Sequence, residues 1–355
     1  MEFPIRWGAM ADSQERPIIV LGCPRSGTTL LQLMLHAHPR IAVPPETRFV
    51  TSVYWHRKRY GDLREPDNLR GLAEWIVRTK KTRFADLGLD AEETIDEIVN
   101  GPPTLGSALG TVFRRYARKF DKPRWGDKRP AYHHSIPQLA RMFPDAQFVH
   151  LIRDGRDCVG SLKNMSWYRG DSYAAIATWA EAIDNGRAAA RELGSGRFYE
   201  LQYEQLIGDP EGELSALCGF LGEEFHPAMC EPHQVAGIAV PKRKKHHANT
   251  HREITKANSG AWRERLEPWE ISLCETVLGR RLKRNGYELS GAPRPSAAHL
   301  THYVRVSTRR SLSWRRRQLR DRVWRLNEPS GLVAAVPGGK RPDSTPTETS
   351  NSDEG

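Results

Sequence analysis

The residues best suited to chemistry stand in one run, Gly22-Cys23-Pro24-Arg25-Ser26-Gly27-Thr28-Thr29. It follows the apolar stretch Ile18-Ile19-Val20-Leu21 and precedes Leu30-Leu31-Gln32-Leu33-Met34-Leu35. A buried strand, a glycine turn and a helix N-terminus therefore come in succession. There, free backbone N–H groups converge with the helix dipole behind them, which makes an anion site. Gly22 and Gly27 bracket four residues, the spacing of a P-loop, yet Thr28 stands where the P-loop lysine belongs. Arg25 supplies positive charge from inside the loop, and Ser26, Thr28 and Thr29 add hydroxyl donors. A bare structural turn needs none of these four side chains. The lost lysine also bears on the reaction. Phosphoryl transfer relies on that lysine and Mg²⁺ to neutralise the transferred group. A sulfuryl group carries less negative charge, so transfer without a metal becomes plausible.

A second segment completes the pattern. Phe148-Val149-His150-Leu151-Ile152 reads as a strand that runs into Arg153-Asp154-Gly155-Arg156-Asp157, with Ser161 on the helix beyond. Arg153 at the strand end and Ser161 two turns into the helix can close on one phosphate from two sides. The plainer alternative is that Arg153 and Asp154 pair with each other and cap the helix. Asp154 next to Arg153 is a poor setting for a metal ligand.

Together the two segments resemble the PAPS-dependent sulfotransferase family, PAPS being 3′-phosphoadenosine 5′-phosphosulfate. The resemblance covers most of Pro17–Ser290. It implies an α/β, P-loop-type three-layer fold with a parallel central sheet flanked by helices. It also implies PAPS as cosubstrate, PAP as product, no metal, and a hydroxyl or amine acceptor. Pro24-Arg25-Ser26-Gly27-Thr28-Thr29-Leu30 resembles the 5′-phosphosulfate loop, with Arg25 where many members have lysine. Arg153 and Ser161 match the 3′-phosphate site, and Tyr203-Glu204 resembles the adenine-contacting step. Lys256, ahead of Ser259-Gly260-Ala261-Trp262, falls where a basic loop folds over the nucleotide; this stretch departs from the cytosolic Arg-Lys-Gly form, and Arg252 is a second candidate there.

Within the family the chain resembles the tyrosylprotein and bacterial branch. Glu46-Thr47-Arg48 is similar to its catalytic Glu-x-Arg, and Asp127-Lys128-Arg129-Pro130 to its strand-end lysine motif. The Lys-x-His of the cytosolic branch is broken, because Pro130 takes the histidine's place. The resemblance thus implies Glu46 as general base, Lys128 and Arg25 on the bridging oxygen and leaving phosphate, and Arg48 orienting Glu46 or the acceptor. Against this, Glu46 reads alternatively as an acid near a helix start.

These residues need a frame. Ile41-Ala42-Val43, a stretch near Trp125, residues 147–152 and Phe198-Tyr199-Glu200-Leu201 read as further strands. Helical stretches separate them: mainly helix from Glu46 to about Phe120, then Ser135–Met142, Cys158–Met165, Ser172–Leu193 and Glu213–Leu221. Asp90-Ala91-Glu92-Glu93 resembles a capping box. Strands alternating with helices imply parallel βαβ units. Residues 1–16 read as an N-terminal extension, in which Met10 offers a second start, and 17–290 as the catalytic domain. A linker and basic amphipathic helix span 291–329, and 330–355 reads as a disordered tail.

The bulk properties narrow the partners. The chain of 355 residues carries a formal net charge of +11, which suits a polyanionic partner. Five cysteines without CxxC spacing argue against a disulfide framework or zinc site. No apolar h-region opens the chain, and a cytoplasmic protein, at most peripheral to a membrane, is expected. Leu312, Leu319, Val323 and Leu326 form one stripe among many arginines. That composition fits membrane contact through 300–326, or equally a helix that packs its stripe on the core and leaves its arginines in water. His133-His134 and His246-His247 with His251 read as surface loop residues rather than metal ligands. The acceptor stays open among small molecule, glycan, lipid and peptide, and a homodimer is compatible with the sequence. A small-molecule kinase is the enzyme alternative; a basic nucleic-acid-binding protein is the other, although Trp314 and Trp324 are the only aromatics close to the densest arginine run and no nucleic-acid partner is expected.

Overall fold

The computed structural model describes residues 16–235, 237, 259–329 and 331–336. Its centre is a parallel sheet of five strands: β1 (Ile18–Gly22), β2 (Ile41–Ala42), β3 (Arg124–Lys128), β4 (Gln147–Ile152) and β5 (Phe198–Gln202). Their order is β2-β3-β1-β4-β5, and every neighbouring pair is parallel. A parallel sheet needs crossovers that cover both faces, and the central strands β1 and β4 are buried at every position. In β1 the alternation is explicit. Ile19 and Leu21 join the core under one layer of helices, while Ile18 and Val20 join the core of the other. The three-layer α/β arrangement expected from the sequence is the one observed.

The crossovers follow the sequence pattern closely. Helix α1 (Thr28–Ala37) leads from β1 to β2. Helices α2 (Val50–His56), α3 (Pro66–Arg78), α4 (Ala91–Asn100) and α5 (Leu105–Arg118) fill the long passage to β3. At α4 the Asp90 side chain accepts a hydrogen bond from the Glu93 amide, while the Glu93 carboxylate turns to Arg115 instead of closing a box. Helix α6 (Ile136–Met142) precedes β4, and α7 (Gly155–Lys163) and α8 (Ser172–Leu193) precede β5. Then come α9 (Tyr203–Gly208), α10 (Pro210–Leu221), α11 (Trp262–Arg265), α12 (Pro268–Arg284) and α13 (Ala297–Leu326).

The C-terminal part departs from expectation in two ways. Helix α13 does lie on the core, but with the opposite face inward. Its buried residue is Asp321, whose carboxylate takes Arg57 at 2.8 Å and Arg325 at 2.7 Å. Arg310 pairs with Glu181 at 2.7 Å, and the Arg317 guanidinium lies 4.0 Å from the Trp55 ring centre. The stripe Leu312, Leu319, Val323 and Leu326 faces solvent, 48 to 82% exposed. Specific ion pairs, not apolar burial, decide which side of this helix is covered. In the expected tail, residues 331–336 are ordered against α5 and α6: Leu332 and Val333 are buried, and their carbonyls accept from the Leu105 and Gly106 amides. Two apolar residues that satisfy the open amides of a helix N-terminus explain the difference.

Candidate active site

The strand order places the site. The chain leaves β1 toward β2 and β3 on one side and later crosses to β4 on the other, so a crevice opens beyond the carboxyl ends of β1 and β4. The glycine loop fills it. Gly27 has φ of 98°, a left-handed conformation that glycine adopts without strain. A Cβ on Gly27 would also lie 2.5 Å from the Tyr203 ring. Arg25 itself holds φ of 75°, uncommon for a residue with a side chain. Two contacts fix it there: its Nε donates to Ser161 Oγ at 3.0 Å, and its carbonyl accepts from Arg153 Nη1 at 3.1 Å.

The structure thus brings the two motifs side by side. Arg153 does not pair with Asp154. Asp154 caps α7 through the Arg156 amide and binds the Arg156 side chain, while Arg153 stacks 4.6 Å from the Tyr203 ring centre and lies 3.6 Å from Asp157. Burial, and then the like charge of Arg153, push the Arg25 guanidinium below its ordinary pKa. Two cations held this close favour an anion between them. Ser26 is buried, and its Oγ has no hydrogen-bond partner among the described residues, so one donor is left over for such a ligand. Thr28 is buried and Leu30 half-buried behind the loop.

On the other side of β1 a second cluster extends the site. Lys128, at the end of β3, is buried; its Nζ donates to Thr29 Oγ1 at 3.3 Å and lies 3.7 Å from Glu46 Oε2. Burial lowers the Lys128 pKa, and Glu46 and Asp127 oppose that shift. Asp127 is fully buried and raised to about 6, chiefly by burial; it accepts from the Lys128 amide and the Tyr132 hydroxyl. Glu46 keeps partial exposure and so borders solvent. Arg48 is exposed, whereas Arg129 brings a guanidinium to 4.0 Å from Glu46. In the sequence Arg129 stands out only as one residue of the Asp127–Pro130 motif. Its one signal was adjacency to Lys128. Glu204 acts as a brace that no local pattern signals: its carboxylate accepts from the Asp154 amide at 3.0 Å and the Tyr287 hydroxyl at 2.8 Å, so it holds the turn after β4.

From Ser161 through Arg25 to Thr29, Lys128 and Glu46, the polar groups form a line across the carboxyl edge of β4, β1 and β3. One end gathers cations for phosphate; the other sets a carboxylate beside a lysine. Lys256, Arg252 and His246, His247 and His251 lie outside the described residues. Among the described residues that follow, Gly260 and Trp262 donate their amides to Asp157, both at 2.8 Å. His133, read as a surface residue, is buried beside His134, and burial pushes its pKa well down. Among the described residues no group of His, Cys, Asp and Glu could hold a metal.

This fold and site define an enzyme that moves an anionic group from a phosphorylated donor. The model of the sulfotransferase family matches residues 17–227, and the chain belongs to that family. It is similar to protein-tyrosine sulfotransferase 2 of Gallus gallus, 24% identical over 314 residues that cover 82% of this chain and 76% of the relative. Protein-tyrosine sulfotransferase 1 of Homo sapiens is 27% identical over 290 residues, covering 78% and 70%. Among solved structures, the sulfotransferase domain of the curacin biosynthetic pathway superposes with a TM-score of 0.56 at 23% identity over 78% of this chain and 99% of that one. The sulfotransferase domain of the Synechococcus PCC 7002 olefin synthase gives 0.55 at 23% identity over 79% and 98%. The last two share the fold. The chain is a PAPS-dependent sulfotransferase, which sets aside the kinase and nucleic-acid readings.

Proposed function

We propose that Glu46 is the general base and that the acceptor is a tyrosyl hydroxyl of a peptide or protein. The observation that carries the base assignment is the 3.7 Å pair of Glu46 and Lys128, with Lys128 also touching Thr29 of the glycine loop. Base and leaving-group cation are thereby held in one frame. The names of the relatives, protein-tyrosine sulfotransferases, support the acceptor class.

In the reaction the acceptor O–S bond forms while the bond from sulfur to the 5′-phosphate oxygen of PAPS breaks. Glu46 takes the acceptor proton. Lys128 and Arg25 stabilise the electron pair left on the phosphate oxygen. Thr29 and Ser26 donate from the loop, Arg153 and Ser161 hold the 3′-phosphate, and Tyr203 and Lys256 contact the nucleotide. Arg129, rather than the exposed Arg48, orients the Glu46 carboxylate.

The test uses Glu46→Gln with PAPS labelled in its sulfuryl group. Tyrosine peptides, simple phenols, glycans and lipids serve as acceptors. Transfer to peptides is expected from the wild type, with kcat reduced roughly 10²–10⁴-fold in Glu46→Gln and PAP binding, read by thermal shift, unchanged. Wild-type turnover in Glu46→Gln removes the base assignment. Transfer to the other acceptors but not to peptides removes the acceptor class.

A further inference from the structure

The outward face of α13 is the feature least explained by catalysis. We infer that this face docks the enzyme on an anionic lipid bilayer. The helix of 30 residues is about 45 Å long, and its contacts with the body lie on one side: Arg310 with Glu181, Trp314 with the His134 carbonyl, Arg317 over Trp55, and Asp321 with Arg57. These contacts hold it as a rigid rib. The face left outside carries Leu312, Leu319, Val323 and Leu326, exposed by 48, 62, 53 and 82%.

Arginines flank those side chains. Arg309, Arg315, Arg316, Arg320 and Arg322 are all exposed. Three of them, Arg309, Arg316 and Arg320, line a groove beside Leu312 together with Arg317. The one acidic residue of the helix, Asp321, is buried and paired inward, so the outward face has no carboxylate of its own to neutralise these guanidiniums. A bilayer interface accepts both halves of this pattern, with leucines in the acyl boundary and guanidiniums among anionic headgroups. A nucleic acid would neutralise the arginines but leave four large apolar side chains in water. A second copy of the same face would set arginine against arginine. Among the described residues no helix is long and apolar enough to cross a membrane, so the contact is a surface one. The inference does not depend on which acceptor the enzyme uses.

The experiment is sedimentation of the full chain with vesicles of phosphatidylcholine alone, or of phosphatidylcholine with phosphatidylserine, beside a mobility assay with a short DNA duplex. The two variants are Leu319→Ser with Leu326→Ser, and Arg315→Glu with Arg316→Glu. All four positions are exposed, and a PAP-induced thermal shift like that of wild type certifies that each variant folds. Wild type is expected to bind the phosphatidylserine vesicles, weakly or not at all the phosphatidylcholine ones, and to release as salt rises. Each arginine at such a surface contributes about a fivefold gain in binding. The double reversal should therefore lose more than about 25-fold, and the double serine variant roughly tenfold or more. Wild type left in the supernatant, duplex bound in place of vesicles, or a serine variant that binds like wild type would each overturn the inference.

Discussion

Replacing Lys128 with methionine separates catalysis from stability, because the two effects have opposite signs. The ammonium is buried at the end of β3, 3.3 Å from Thr29 Oγ1 and 3.7 Å from Glu46. Burial lowers its pKa, so at neutral pH the fold holds a charge that the unfolded chain holds more easily. A group of this kind takes stability away below its folded pKa, and the loss fades as pH rises toward the unfolded value near 10.5. Methionine keeps the length of the side chain and removes the charge, so Tm at pH 7 should stay level or rise. Turnover should behave differently. Loss of one preorganised donor to the leaving oxygen costs about 3–4 kcal/mol of transition-state stabilisation, or 10²–10³ in kcat. The assay is single-turnover transfer from labelled PAPS, with PAP affinity measured by titration and Tm by calorimetry. A large kcat loss with affinity changed only a few-fold is the expected result. The catalytic role of Lys128 is refuted if kcat survives and only nucleotide affinity falls, since Lys128 would then be a ground-state contact. It is equally refuted if Tm collapses, since the ammonium would then be structural.

Three other substitutions test the frame around the line of site residues. Gly27→Ala must place a Cβ 2.5 Å from the Tyr203 ring at φ of 98°; it should cost roughly 1–3 kcal/mol and abolish the PAP-induced thermal shift, and an alanine variant that binds PAP normally would show that the loop can relax. Asp127→Asn removes a carboxyl whose pKa is raised to about 6. The raised value means that the acid form belongs to the fold, so its contribution is present below about pH 4 and lost as pH rises through about 6. At pH 8 the asparagine variant should therefore be more stable than wild type, by at most about 3 kcal/mol, and the gain should vanish by pH 4 in denaturant titrations. Asp321→Ala leaves Arg57, itself buried, without its closest carboxylate, and should destabilise by about 3–5 kcal/mol in chemical unfolding; a change under 1 kcal/mol would mean that α13 is not held by this pair.

The sheet and the glycine loop were legible because their signals are local. Ile18–Leu21 is apolar at every position, and a loop with Arg25, Ser26, Thr28 and Thr29 between two glycines has no simpler use. Residues 148–161 were legible for the same reason: a strand, a basic turn and a helix in continuous chain. What the sequence did not show is which side chains meet across elements. Arg129 reaches Glu46 because β2 pairs with β3 and brings the two strand ends together, and no periodicity within either segment encodes that meeting. Arg48, two residues from Glu46 in sequence, lies exposed instead. Glu204 supports the turn after β4 only because β5 lies beside β4.

Helix α13 shows why pattern alone could not choose a face. Its apolar stripe is flanked by Arg309, Arg315, Arg316, Arg320 and Arg322, so turning the stripe inward would bring charge with it and turning it outward leaves leucines in water; neither orientation satisfies a simple amphipathic rule. The choice falls to a few residues on the opposite side. Asp321 meets Arg57, Gln318 meets Gln138, and Arg310 meets Glu181, each with a partner on another element. Ion pairs of this kind, when buried, add little net stability against well-packed apolar residues, yet breaking one is expensive. They therefore specify an orientation more than they strengthen it. Four large apolar side chains stay in water as a result, a standing cost that the fold tolerates and that a bilayer would remove.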